Sequence, residues 1–133
     1  MFRRLEKKDF EIILEFLNEN SGDKDSYTMN VSHSGNLSIF NGDCSQDLYL
    51  RPFPKDTLTI ARMYLMNSRK RTGTKILNFC KDYAIRNNLK YIVMESVQTP
   101  EMMAFCKKHG FVPGGDCIEF DNVLVGNYTL ELS

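Results

Sequence analysis

The chain has 133 residues, 42% of them hydrophobic, and its 17 basic and 17 acidic side chains give a formal net charge of zero. This length suffices for one domain with a buried core, and the composition is that of a soluble globular protein. The zero net charge argues against a domain that coats nucleic acid, because such domains usually carry a basic excess. No stretch approaches the roughly eighteen apolar residues of a membrane span. The apolar part of the N-terminal stretch is broken by Glu11 and Glu15, so we expect no signal peptide and a cytoplasmic protein.

The first two elements are predicted to be a short strand over 2–8 and a helix that runs from Asp9 to Asn20. Asp9 is a residue type that caps helix N-termini. The segment 21–25 is polar and predicts a loop. The helix prediction depends on apolar residues that recur at helical spacing, namely Phe10, Ile13, Leu14 and Leu17.

The middle of the chain predicts strands. Three short runs, YTMNV, LSIF and LYL, are separated by the turn-forming segments SHSG and NGDCSQD, a pattern typical of an antiparallel meander. The two prolines of RPFPKD (51–56) exclude a central strand there. The run TLTIARMYL (57–65) predicts the next strand.

The second half predicts a helix from about 74 to 88, a buried strand over 91–97 and a second helix. This second helix begins at Thr99 and Pro100, a capping hydroxyl followed by proline at the first helical position, and Gly110 ends it. CIEF (117–120) and GNYTLEL (126–132) predict two final strands. The whole chain, 1–133, is therefore interpreted as one α/β or α+β domain with a mixed, mostly antiparallel sheet flanked by helices.

The four cysteines, Cys44, Cys80, Cys106 and Cys117, show neither CxxC spacing nor a Cys/His ligand pattern. We therefore expect reduced thiols and no metal site.

A cluster of cations lies between the strand over 57–65 and the helix that follows it. NSRKRTGTK (67–75) holds three consecutive cations beside Gly73, and no acid occurs from 67 to 81. A strand that ends in a turn exposes backbone N–H groups, and the N-terminus of the next helix adds partial positive charge. Gly73 removes a Cβ where an anion would approach the backbone. The pattern favours a phosphate site, with a solvated turn and a nucleic-acid contact as the alternatives.

Residues 60–111 resemble the GNAT superfamily of N-acetyltransferases. That family has a strand, a loop of pattern Arg/Gln-x-x-Gly-x-Gly/Ala, a long helix, a strand, a short helix and a Gly-Phe pair. Here Gly73 precedes Ala84 by eleven residues, the interval found in the family, and Gly110 is followed by phenylalanine. Two positions depart from the loop pattern: Ser68 stands at the place of Arg or Gln, and Arg71 at the place of the first glycine.

The resemblance implies the acyl-CoA N-acyltransferase fold, acetyl-CoA as cosubstrate and an amine acceptor on a protein or small molecule. Composition and charge, considered above, argue against a membrane or nucleic acid as partner, with a small nucleic-acid binder kept as the least favoured alternative function, and a homodimer is left open. Backbone N–H groups at the end of the strand would stabilise the tetrahedral oxyanion, and the loop would hold the pyrophosphate of coenzyme A. The implied cofactor-binding residues are Met63, Tyr64, Leu65, Ser68, Arg69, Lys70, Arg71, Thr72, Gly73, Thr74 and Thr99.

Acetyl transfer to an amine also requires a group that accepts the proton of the amine. Glu95 is an acid inside an otherwise apolar strand, which makes it the first candidate. The alternatives for Glu95 are solvent exposure or an ion pair with a neighbouring helix. Asp56, early in the preceding strand, is the second candidate.

The leaving thiolate needs a proton donor, which in the family is commonly a tyrosine four residues before the glycine of the Gly-Phe pair. Cys106 occupies that position and is the candidate acid, with a small apolar core residue as its alternative. Without Cys106, the proton would come from water, Tyr64 or Tyr128. A relative that keeps the fold but has lost catalysis, acting as a binding module, is the alternative function. His109, in the last turn of a helix, is explained as a cation that favours the helix dipole.

Overall fold

The computed structural model describes residues 4–21, 27–65 and 71–132. A 3₁₀ turn (Lys7–Asp9) precedes the helices, which are α1 (Ile12–Ser21), α2 (Thr72–Arg86) and α3 (Pro100–Lys108). The strands are β1 (Tyr27–Val31), β2 (Leu37–Asn41), β3 (Asp47–Arg51), β4 (Thr57–Tyr64), β5 (Tyr91–Val97), β6 (Val112–Pro113), β7 (Ile118–Phe120) and β8 (Val123–Glu131).

The strands form one mixed sheet in the order β1-β2-β3-β4-β5-β8-β6, and β7 pairs with β8 outside this path. Only the β4–β5 pair is parallel among the described strands, and α2 connects its two members. The mixed, mostly antiparallel α/β sheet predicted from the sequence is thereby confirmed.

The core lies between one face of the sheet and the three α-helices. Leu37, Leu50, Ile60, Met94 and Tyr128 occupy successive paired positions across β2, β3, β4, β5 and β8, and each is at most 3% exposed. Paired residues lie on the same face of a sheet. The helices contribute to the same buried cluster through Ile13, Leu17, Ile76, Leu77, Cys80 and Cys106. The described helices thus pack on one face rather than on both.

Most predicted elements agree with the structure. The meander β1–β3 and strands β4 and β5 lie where the sequence places them, and α2 begins two residues earlier than predicted. Thr99 caps α3 by accepting a hydrogen bond from the Met102 amide at 3.1 Å. Gly110 follows this helix with φ of 87°, a left-handed conformation that glycine adopts without strain.

The predicted N-terminal strand is wrong for the described residues. Glu6, Lys7 and Lys8 are all exposed, so their side chains do not alternate as in a half-buried strand. Leu5 donates one backbone hydrogen bond to Gly35, and a 3₁₀ turn follows. Asp9 ends that turn and does not cap α1.

Two further differences concern short segments. Strand β6 was not predicted, because a pairing of two residues is too short to show periodicity. Of the predicted loop 21–25, Ser21 belongs to α1 and 22–25 lie outside the described residues. In the described ranges, the helices are all too short or too polar to cross a bilayer.

Candidate functional site

The parallel strands β4 and β5 separate halfway along their length. They pair at four positions, from Thr57–Tyr91 to Ile60–Met94, and both strands continue further, to Tyr64 and Val97. Over this second half β4 stays paired with β3, and β5 stays paired with β8 at Val97. A gap therefore opens in the middle of the sheet at the carboxyl ends of its two parallel strands.

Two irregularities in the strands explain this gap. In β4, Ile60 pairs with Leu50 and Arg62 with Tyr49, which leaves Ala61 as an extra residue. In β5, the register with β8 shifts between Met94 and Val97. Such bulges bend a strand and increase its twist. Both occur directly after the last shared pair of β4 and β5, so each strand turns away from the other there.

The bulge in β5 is held by a side chain of β8. Ser96 has a left-handed φ of 56°, and its N–H donates to the Asn127 Oδ1 atom at 2.9 Å. This bond satisfies an amide that the irregular register leaves without a ladder partner. Asn127 is therefore a residue that shapes the gap, and its sequence context alone did not single it out.

The gap faces the start of α2. Of the residues predicted at the end of β4, Met63 is buried at 8% exposure, Leu65 is half-buried, and Tyr64 is 58% exposed. Arg71 precedes α2 in a left-handed conformation, and its side chain does not cap the helix. The N–H groups of the first turn of α2 therefore lack an Arg71 cap and can bind an anion. Ser68, Arg69 and Lys70, also predicted to bind the cofactor, lie outside the described residues.

Thr72, predicted as a phosphate ligand, is 2% exposed, and its Oγ1 atom accepts a hydrogen bond from Asn20 at 2.9 Å. Asn20 is itself 1% exposed and lies at the end of α1, 52 residues away in the sequence. This bond ties the first turn of α2 to α1. The sequence contained a signal for Asn20, which continues the apolar spacing of Ile13 and Leu17 as a polar residue.

Gly73 lies in the first turn of α2, with side chains of the gap around it. A Cβ at this position would lie 3.4 Å from Phe105 Cε1, 3.5 Å from Met63 Cε and 3.6 Å from Leu65 Cδ1. These are ordinary van der Waals distances, so the folded chain has room for alanine. A glycine that the packing does not require, in a helix where it is unfavourable, fits the prediction of a ligand close to its Cα.

Thr74, the last loop residue predicted to contact phosphate, faces the end of α3. Its Oγ1 atom lies 3.4 Å from His109 Nε2, and the His109 ring packs on Phe105 with centroids 4.6 Å apart. Burial, and then the charges of Lys81 and Lys108, lower the pKa of His109. A lowered pKa disfavours the charged imidazolium, which argues against the explanation of His109 as a helix-dipole cation.

Glu95, the candidate base, forms an ion pair with Arg51 of β3, and both side chains are about one-third exposed, 30% and 33%. Arg51 pairs in register with Thr59, so the two side chains meet across β4 on the face opposite the helices. The partner is thus a strand residue and not the helix residue considered above. Arg51 Nε is buried and has no hydrogen-bond partner within the described residues.

Asp56, the second candidate base, lies just before β4, at the end of the strand away from the gap. Its carbonyl oxygen accepts hydrogen bonds from the amides of Lys90 and Tyr91 at 2.7 and 3.1 Å. The backbone of Asp56 thereby fixes the start of β5.

Cys106, the candidate acid, is fully buried in α3, and this burial raises the pKa of its thiol to about 12. Tyr128 is also fully buried, and its hydroxyl donates to the Leu124 carbonyl at 2.7 Å. Burial, and then the neighbouring thiols of Cys117 and Cys106, raise the pKa of Tyr128. The role of Cys106 stays a prediction, and its burial favours the alternative of a core residue.

Thr99, the remaining predicted cofactor ligand, is exposed, and its hydroxyl caps α3. All four cysteines are free thiols, and within the described part of the chain no three His, Cys, Asp or Glu side chains cluster as metal ligands would.

Comparison with known proteins shows similarity at the level of structure only. No protein-family model and no curated protein matches the sequence. The chain superposes on a GNAT-family acetyltransferase from Staphylococcus aureus with a TM-score of 0.53 at 14% identity, covering 97% of this chain and 81% of the other. An acetyltransferase from Bacillus subtilis in complex with CoA gives 0.51 at 14% identity, covering 74% and 76%.

A third structure, a GNAT-family acetyltransferase from Elizabethkingia anophelis with acetyl-CoA bound, gives a TM-score of 0.51 at 15% identity and covers 73% of this chain and 75% of the other. These similarities bear out the resemblance found in residues 60–111. The chain has the fold of the GNAT N-acetyltransferases.

Proposed function

We propose that this protein is an N-acetyltransferase that moves an acetyl group from acetyl-CoA to an amine by direct attack. The observation that carries the proposal is the gap between β4 and β5, which opens beside Gly73 in the first turn of α2. A thioester arm fits a slot between two strands, because unpaired strand edges offer amide hydrogen bonds. The first turn of α2, which the Arg71 side chain does not cap, is suited to the pyrophosphate because its N–H groups can donate to phosphate oxygens.

In the proposed reaction the amine nitrogen bonds to the acetyl carbonyl carbon, and the carbon–sulfur bond then breaks. Backbone N–H groups at the end of β4, around Met63 to Leu65, would stabilise the oxyanion of the tetrahedral intermediate. The amine loses a proton to a base, and the departing thiolate of coenzyme A gains one. This chain must therefore supply or admit two proton carriers.

Glu95 is the base that we propose, acting directly or through a water molecule. It lies in β5 just past the last residue shared with β4, at the edge of the gap and on the open face of the sheet. The ion pair with Arg51 fixes its carboxylate. A Glu95→Gln variant keeps the shape but cannot accept the proton, so kcat should fall about 10²- to 10⁴-fold.

For the proton that the thiolate gains, the geometry favours Tyr64 or water over Cys106. A thiol with a pKa of about 12 is a far weaker acid than an ordinary thiol, whose pKa is about 8.5, so Cys106 would not readily protonate a thiolate. Tyr64 is open to solvent at the end of β4. We expect Cys106→Ser to keep most of its turnover and Tyr64→Phe to lose it. The opposite result would assign the acid to Cys106.

A catalytically inactive binding module is the second candidate, supported by the burial of Cys106. Isothermal titration calorimetry with acetyl-CoA separates both candidates from an unrelated function, because both require binding. Release of free coenzyme A thiol is then measured with a panel of polyamines, amino acids, aminoglycosides and lysine peptides. Binding without release for any acceptor supports the module, and absence of binding refutes both candidates.

A further inference from the structure

Cationic side chains of α2 and α3 converge beside the first turn of α2. On α2, Thr74, Asn78 and Lys81 are spaced i, i+4 and i+7, which places them on one face of the helix. On α3, Lys108 and His109 end the helix, and His109 meets Thr74 at 3.4 Å. The contact between Thr74 and His109 therefore brings the end of α3 onto the Lys81 face of α2.

Within the described residues, the cluster defined by Lys81, Lys108 and His109 takes part in no ion pair that would balance its charge. The described ion pairs involve Lys8, Arg51, Arg62 and Lys75, and none of the three cluster residues takes part. The charges of Lys81 and Lys108 are felt at the imidazole, where, after burial, they lower the pKa of His109. Positive groups that converge and lack counter-charges form a site that an anion would relieve.

The position of the cluster limits the anion that it can take. Lys81 lies seven residues after Thr74, about 10 Å further along α2, so the cluster extends from the first turn of α2, where His109 meets Thr74, away from the helix N-terminus. Phe105 links the two places, because it contacts the Cβ position of Gly73 and packs on His109. A ligand that carries a further phosphate group in addition to its pyrophosphate could contact the first turn of α2 and the lysines of the cluster at the same time.

We propose that Lys81, Lys108 and His109 form a second phosphate subsite, which binds the 3′-phosphate of coenzyme A and makes this protein discriminate against 3′-dephospho-coenzyme A. The inference rests on the proposed use of acetyl-CoA. A phosphate monoester is the anion of choice for the subsite, since it carries nearly two charges at pH 7 and three acceptor oxygens. Thr74 orients the imidazole through its hydroxyl.

Calorimetry with two commercially available ligands tests this subsite. We expect the unaltered protein to bind acetyl-CoA about tenfold more tightly than 3′-dephospho-acetyl-CoA, an order expected for charge-assisted contacts. Lys81→Gln combined with Lys108→Gln should remove this preference by weakening only acetyl-CoA. The matched control is Lys55→Gln combined with Lys90→Gln, two exposed lysines outside the cluster.

The outcomes are distinguishable. Equal affinity of the unaltered protein for both ligands overturns the subsite and leaves the proposed function standing. Equal weakening of both ligands in the double variant also overturns it, because the lysines would then act only through general charge. Binding of neither ligand overturns the proposed function together with the subsite.

Nuclear magnetic resonance of the imidazoles gives a second readout that does not depend on activity. The chain has only two histidines, His33 and His109, so His33 in the β1–β2 turn is an internal control. A phosphate beside His109 favours its protonated form, so acetyl-CoA should raise the pKa of His109, and the dephospho ligand should raise it less. An equal shift with both ligands contradicts the assignment.

Discussion

Replacing Gly73 with alanine tests separately whether folding and ligand binding require a glycine at this position. In the folded chain the new Cβ would contact Phe105, Met63 and Leu65 at 3.4 to 3.6 Å, so no side chain has to move far. Alanine also lowers the entropy of the unfolded chain, and glycine is up to about 1 kcal/mol less favourable in a helix interior. We therefore expect Gly73→Ala to unfold with a free energy equal to or up to about 1 kcal/mol above that of the unaltered protein.

This change corresponds to a melting temperature up to about 4 °C higher for a domain of this size. Binding should change in the other direction. If the pyrophosphate approaches the backbone at Gly73, a methyl group there should raise the Kd of acetyl-CoA at least tenfold, or about 1.4 kcal/mol. Calorimetric binding and chemical denaturation of the same preparation measure both quantities.

Two glycines provide controls for this experiment. A Cβ on Gly42 would meet nothing within 4 Å, so Gly42→Ala should raise the free energy of unfolding by at most about 1 kcal/mol through the same entropy effect and leave binding unchanged. A Cβ on Gly126 would lie 2.6 Å from Cys117 Sγ, and this glycine has a φ of +149°, so Gly126→Ala should destabilise the fold by about 1–3 kcal/mol. Loss of more than 1 kcal/mol in Gly73→Ala, or unchanged affinity for acetyl-CoA, would refute the reasoning about Gly73.

Four further predictions concern stability, reactivity and pH. Asn20→Ala should lower the free energy of unfolding by about 1–3 kcal/mol, because the buried Thr72 oxygen loses its hydrogen-bond donor. The control Asn78→Ala, at an exposed position of α2, should change the free energy of unfolding by no more than about 0.5 kcal/mol. Urea denaturation measures both variants. Thr99→Ala should cost about 1 kcal/mol through the lost cap of α3, and Thr99→Ser should restore it in the same assay. At pH 8, a thiol reagent should label the exposed Cys44 rapidly and spare Cys80 and Cys106, because burial raises the pKa of both thiols to about 12. Mass spectrometry identifies the labelled residues, and labelling of Cys106 in the native protein would contradict its burial. Because the pKa of His109 is lowered in the folded state, the unfolded chain binds the imidazole proton more tightly than the folded chain. The free energy of unfolding should therefore fall as the pH drops below about 6.5. Urea denaturation at several pH values should show a smaller fall for His109→Gln.

The elements that the sequence predicted well are those with local signals. Strand β5 and helix α3 have the predicted starts, and α3 is capped by Thr99 and followed by Gly110 as expected. A cap acts within one turn of its own helix, so it can be read from a few consecutive residues. The 3₁₀ turn at Lys7–Asp9 escaped prediction because its three residues are all exposed and show no apolar periodicity, and because the backbone just before it is fixed by the hydrogen bond from Leu5 to Gly35, far along the chain.

The features that shape the candidate site could not be predicted in this way. Each joins residues that are distant in sequence: Asn20 and Thr72 are 52 apart, and Arg51 and Glu95 are 44 apart. The gap itself depends on where the registers of two strand pairs, β3–β4 and β5–β8, shift, and a run of apolar residues does not specify its register with a neighbour. The cation-rich segment was found from composition, but the position of the first turn of α2 relative to α3 required the contact between Thr74 and His109.

The two bulges and the ion pair on the open face belong to one arrangement. Ala61 is the extra residue of β4 and follows Ile60, the last residue of β4 that pairs with β5, while Glu95, which forms the ion pair with Arg51, follows Met94, the last residue of β5 that pairs with β4. The pair joins the strands on both sides of β4 where the β4–β5 ladder has ended, so it takes the place of the missing ladder in holding β5 near β3. The bulge that opens the gap for the proposed thioester and the carboxylate of the candidate base therefore both come directly after the last shared pair of β4 and β5.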